Sequence, residues 1–80
     1  MITVYEKTTH CSMCDAVKRD FNAKGVEYTL LPIDDEVLEF ARVNEFKSAP
    51  IVVSDEHPEL NFCGYKPNIV KDFIAAHKGA

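Results

Sequence analysis

The spacing of apolar residues changes several times along this chain, and each change marks an element. Ile2-Thr3-Val4-Tyr5 is a short β-branched and aromatic run, which predicts a strand. From Cys14 the apolar positions Cys14, Val17 and Phe21 recur at helical spacing, while Lys18, Arg19 and Asp20 take the other face. This helix is expected to reach Lys24, with Gly25 stopping it in the usual C-terminal position. Glu27–Leu31 reads as a second strand ended by Pro32. Asp34-Asp35 caps a second helix with an apolar face at Val37, Phe40 and Ala41, ending near Asn44-Glu45. After a turn at Ser48-Ala49-Pro50, Ile51-Val52-Val53 forms a third strand. Asp55–Glu59 is a polar hairpin loop, Leu60–Cys63 a short fourth strand, and Gly64 breaks it. Pro67 suits the first turn of a last helix, to which Ile69, Val70, Phe73 and Ile74 give a wide apolar stripe.

The predicted order is βαβαββα. Two strands joined through a helix should be parallel with a right-handed crossover. Two joined by a hairpin loop should be antiparallel. The expectation is an α/β protein with a four-stranded mixed sheet flanked by helices. No repeat or linker interrupts it, so residues 1–80 are read as a single domain. A chain of this length buries little more than ~60% of its unfolded surface. Any site must then lie on the surface of a small core.

Composition changes the picture mainly by exclusion. The chain is 46% hydrophobic and 28% charged, which excludes collagen-like and disordered readings. Ala49–Val53, the longest apolar run, is far too short to span a membrane. Met1–Glu6 has neither a basic nor an apolar leader region, so no secretory signal is expected. Net charge is −4, and the nine Lys and Arg form no basic stripe, which argues against nucleic acid as a partner. Asp34-Asp35-Glu36 reads as a solvated helix start favoured by the helix dipole. It lacks the alternating oxygen ligands and glycine bend of a calcium loop.

The chemistry lies in Cys11-Ser12-Met13-Cys14, set between a strand and a helix. Cys11 is expected at the helix start, where first-turn N–H groups and the dipole favour a thiolate. Such positions lower a thiol pKa from about 8.5 into the range ~3.5–7.5. Two intervening residues let both sulfurs meet across one turn. Cys11 then attacks a partner disulfide, and Cys14, shielded on the apolar face, resolves the mixed disulfide. The competing reading is half of a zinc site, completed by Cys63 and one of His10, His57 or His77. A Cys-x-x-Cys opening a βαβ unit favours redox chemistry, and no metal is assigned. With no leader, the cytoplasm is the expected compartment, where paired cysteines are usually catalytic or metal-binding.

With that motif in that place, the chain resembles the thioredoxin superfamily, and within it the glutaredoxin-like NrdH-redoxins, electron donors of ribonucleotide reductase. Three stretches carry the resemblance. Val4-Tyr5 is followed by Cys11-Ser12-Met13-Cys14, with Ala16, Lys18 and Arg19 behind; Ser48-Ala49-Pro50 precedes the third strand; Phe62-Cys63-Gly64-Tyr65-Lys66-Pro67 stands where that family carries Trp-Ser-Gly-Phe-Arg-Pro. Met13 departs from a common Gln, and Phe62, Cys63 and Lys66 replace Trp, Ser and Arg. Lys66 keeps the charge but loses the planar fork. The resemblance implies a dithiol–disulfide oxidoreductase with no bound cofactor, reduced by thioredoxin reductase. Glutathione-using glutaredoxins carry a Gly-Gly stretch with a nearby Asp. Cys63-Gly64-Tyr65-Lys66 lacks it, so a glutathione-dependent glutaredoxin is the second reading, and a metal-binding module using Cys11, Cys14 and Cys63 the third.

The resemblance also assigns roles around the dithiol. Ser12, Met13, Ala49, Pro50, Phe62, Gly64, Tyr65 and Lys66 are expected to form the partner surface, with one of Phe62 and Tyr65 exposed. Pro50 reads either as a strand-start proline or, by the family, as a cis-proline facing the cysteines. Lys7, His10 and Lys18 either tune the Cys11 thiolate or are plain solvated residues. Cys63 reads as a small buried hydrophobe or as a third redox thiol. His57 is expected at the surface and His77 in a fraying terminus. The protein is expected to act as a monomer.

Overall fold

Ile2–Glu6 (β1), the first element of the chain, takes an interior place in the sheet. The structure, a computed structural model, describes residues 1–78. The other strands are Thr29–Pro32 (β2), Ile51–Ser54 (β3) and Phe62–Cys63 (β4), in the order β2-β1-β3-β4. β1 and β2 are parallel; β1 pairs antiparallel with β3, and β3 with β4. Three helices accompany them: Ser12–Ala23 (α1), Asp35–Val43 (α2) and Pro67–Lys78 (α3). The sheet is the mixed, four-stranded one that the apolar pattern predicts.

Strand alternation gives the sheet two distinct faces. Val4 opposite Val52 and Phe62 opposite Val52 point one way; Tyr5 opposite Ile51 and Ile51 opposite Cys63 point the other. On the first face α1 and α3 supply Val17, Phe21, Val70, Phe73 and Ile74. Phe73 stacks on Phe21 at 5.7 Å and meets Phe62 edge-on at 5.2 Å. On the second face α2 lays Val37 and Ala41 over Ile51 and Cys63.

α1 and α2 end by the same device. Gly25 follows the last turn of α1 at φ 69°, and Val26 N–H donates back to Phe21 O at 2.9 Å. Glu45 follows α2 at φ 60°, and Phe46 N–H donates to Ala41 O at 2.7 Å. These are Schellman closures, one with the glycine that the left-handed position favours and one with a glutamate.

Several boundaries differ from the expected ones. β2 starts at Thr29, because Tyr28 turns its ring onto Phe21 and its hydroxyl onto Asn22. Pro32 closes this strand from within, as an edge strand permits. β4 has two residues instead of four. Pro58–Leu60 forms a 3₁₀ turn, and Asn61 spends its side chain on Ser54 N–H. Ile69 is exposed, so the stripe of α3 narrows to Val70, Phe73 and Ile74.

His77 is not frayed. Its Nε2 lies 2.7 Å from Ser54 Oγ and its Nδ1 2.7 Å from Phe73 O. A carbonyl only accepts, so Nδ1 donates. Ser54 Oγ already accepts from the Glu56 and His57 amides, so its proton goes to Nε2. His57 stands edge-on to the His77 ring at 5.0 Å and within 3.4 Å of Glu59, which draws it off the open surface.

Candidate active site

Cys11 is the N-cap of α1, in extended conformation, and its Sγ accepts the Cys14 N–H at 3.2 Å. Asp15 N–H closes the first turn onto Cys11 O. A sulfur at a helix start is thus held by the unpaired donors of that helix. The two cysteines form a disulfide, with Cα atoms 5.3 Å apart. Cys11 is partly exposed, whereas Cys14 is wholly buried on the face that also carries Val17 and Phe21. A partner can reach only the first sulfur.

Two further loops close on this turn. The Ala49–Pro50 peptide is cis, and both residues are buried. Pro50 O accepts the Gly64 N–H at 2.9 Å, which ties the loop before β3 to the loop after β4. Gly64 has φ 71°, and a Cβ placed there would lie 3.2 Å from Ser48 Cβ and 3.8 Å from Met13 Sδ. A side chain at 64 would crowd Ser48 and come into contact with Met13, on a left-handed backbone that L side chains rarely adopt. Met13, Ser48, Pro50 and Gly64 therefore meet beside the cysteines. Ser48, outside the expected partner surface, belongs to this junction; its adjacency to Ala49-Pro50 was the signal.

The remaining residues separate into groups. Ser12, Met13 and Lys66 are exposed, and Lys66 O accepts from Val70 N–H at the start of α3. Phe62 is buried against Phe73 and offers no docking surface, because its strand position points it into the core. Tyr65 is half-buried; its hydroxyl donates to Asp20 at 2.8 Å, and the Arg19 guanidinium lies over its ring. Donation to the carboxylate favours the protonated phenol and raises its pKa. Lys18 is pinned by Glu6 at 2.8 Å and Asp15 at 3.5 Å, and the Glu6 bond raises its pKa. Two carboxylates offset its charge, so little of it is left to act on Cys11. Lys7 and His10 are exposed. Cys63 is a free, buried thiol packed under α2 with Ile51, on the α2 face of the sheet. Among the described residues no group of three or more His, Cys, Asp and Glu gathers as metal ligands.

This arrangement can be set beside known proteins. No protein-family model matches the chain. Curated proteins named glutaredoxin-like protein NrdH do. Those of Escherichia coli K12 and Shigella flexneri are 27% identical over 71 residues, covering 86% of this chain and 83% of theirs. That of Salmonella typhimurium LT2 is 25% identical over the same span. A solved structure of NrdH-redoxin from Escherichia coli superposes with a TM-score of 0.75 at 26% identity, over 89% of this chain and 91% of that one. That protein is described as glutaredoxin-like with a thioredoxin-like activity profile.

The chain is a thiol–disulfide oxidoreductase similar to the NrdH-redoxins. Its thioredoxin-like fold and its redox Cys11–Cys14 pair are those the sequence motifs imply. Among the described residues no helix of this redoxin is long and apolar enough to cross a membrane.

Proposed function

We propose that this redoxin carries electrons to a disulfide of ribonucleotide reductase in the cytoplasm and is itself reduced by thioredoxin reductase. The observation that supports this most is the unequal exposure of the two sulfurs within one helical turn. Cys11 thiolate attacks one sulfur of the partner disulfide, and the other partner sulfur leaves as a thiolate and takes up a proton. The product is a mixed disulfide at Cys11. Cys14, having lost its proton, attacks Cys11 Sγ, releases the second partner thiol and closes the Cys11–Cys14 bond. Two electrons pass to the partner. Cys14 is shielded from competing disulfides by its burial, so it reacts only with the sulfur beside it.

The loop at Gly64 supports this choice of reductant. Cys63 stands where a glutathione site would have its first glycine, and Lys66 disfavours the tripeptide's ammonium. The thioredoxin-like profile ascribed to the Escherichia coli relative agrees with this reading. The test is NADPH consumption by the oxidised protein, with thioredoxin reductase or with glutathione and its reductase. Turnover with thioredoxin reductase, followed by support of ribonucleotide reduction, is the expected result. Turnover with glutathione alone would replace this reading by a glutaredoxin. Cys11→Ser should abolish activity in either system, while Cys14→Ser should accumulate mixed disulfides visible by mass spectrometry.

A further inference from the structure

The three segments that meet at the dithiol differ in charge from the rest of the chain. Residues 7–14, 46–50 and 62–67 contain Lys7, His10, Lys47 and Lys66 and not one Asp or Glu. The chain as a whole carries thirteen acids against nine Lys and Arg. The segments are neighbours in space. Ser48, next to Lys47, and Met13, two residues after Cys11, both lie against Gly64, two residues before Lys66. Lys7 begins the loop that leads to Cys11.

Lys7, Lys47 and Lys66 are exposed, and among the described residues none of them forms an ion pair. Other cations are engaged: Lys18 by Glu6 and Asp15, Arg19 by Asp20, Arg42 by Glu39. Asp15, the acid next to the motif in sequence, shares Lys18 with Glu6, which leaves one negative charge in that group. Lys7, Lys47 and Lys66 together outweigh it.

We propose that Lys7, Lys47 and Lys66 form a cationic rim that selects disulfides embedded in acidic polypeptide segments. This rests on the oxidoreductase reading and adds the chemistry of the partner. Unpaired surface charges of one sign around a reactive group raise encounter rates with opposite charge by ~10–10³ at low salt. They fix no register, which suits an extended, flexible segment.

The experiment uses two synthetic peptides with the same intramolecular disulfide loop, one with Glu and Asp flanks and one with Lys flanks. Reduced protein, freed of its chemical reductant, is mixed with each under single-turnover conditions. One peptide disulfide becomes a dithiol for each Cys11–Cys14 bond formed. The ratio of the two second-order rates is the readout. It should favour the acidic peptide about tenfold in 10 mM salt and fall toward one in 0.5 M salt, as screening shortens from about 30 Å to a few ångströms. In the variant Lys7→Gln/Lys47→Gln/Lys66→Gln the ratio should approach one or invert. A change in Cys11 nucleophilicity would slow both peptides alike and leave the ratio unmoved. The net charge of −4 alone predicts preference for the basic peptide, so equal rates or a basic preference in native protein would overturn the proposal. An acidic preference that survives loss of all three lysines would overturn it too. Reduction of neither peptide, nor of the neutral 2-hydroxyethyl disulfide, would remove the oxidoreductase reading itself.

Discussion

The two faces of the sheet are built to different standards. Behind β1 and β3, α1 and α3 bury Val4, Val17, Phe21, Val52, Val70 and Phe73 almost completely, and the aromatic rings interlock. On the other face α2 lies alone. Tyr5, Phe40, Phe46 and Val53 are only partly covered, Leu38 and Val43 face solvent, and a groove of about 530 Å³ opens between Tyr5, Phe40 and Val53. The helix that carries the cysteines is anchored in the tight face. A redox pair must be held at a fixed place, and Phe21 and Val17 anchor the helix that begins at Cys11. The α2 face has no such task, and its packing is correspondingly loose.

The largest test of this contrast compares one phenylalanine from each face. Phe21→Ala should cost about 3–5 kcal/mol, since the ring is fully enclosed and its removal leaves a cavity. Phe40→Ala, at a half-buried position, should cost about 1–2 kcal/mol by area. Denaturant titration of both variants measures the difference; equal losses would show that α2 is as integral as α1.

A middle-sized effect lies at the polar end of the tight face. Ser54→Ala removes the acceptor of two amides and the donor to His77. It should cost about 1–3 kcal/mol and free the last turn of α3. Loss of exchange protection at the end of α3, with Cys11 reactivity retained, is the expected signature.

The smallest effect has the opposite sign. Glu45 holds the left-handed position that Gly25 holds after α1. Glu45→Gly should stabilise the protein by about 1 kcal/mol, seen as a raised denaturant midpoint. The same replacement logic has no counterpart at the end of α1, where the glycine is already present.

Sequence patterning revealed most of what depends on local periodicity. Cys14, Val17 and Phe21 bury together as their spacing predicts, and Asp34 caps α2 by accepting the Val37 amide. Features that depend on distant partners were hidden. His77 reads as terminal until Ser54, 23 residues away, is placed beside it. Phe62 reads as a docking residue because it stands at the family's Trp position, whereas its place in a two-residue strand buries it in the core. The meeting of Met13, Ser48 and Gly64 joins the first turn of α1 to two loops that share no sequence pattern. The dithiol itself was legible because one helical turn contains both sulfurs.

The sulfur that caps α1 has a spectroscopic consequence. The Cys14 amide proton rests on Cys11 Sγ, so its hydrogen bond strengthens when that sulfur is an anion and weakens when it is covalently engaged. Its chemical shift and exchange rate should therefore differ between the thiolate and disulfide forms of Cys11. One backbone resonance would then gauge where the protein stands in its redox cycle.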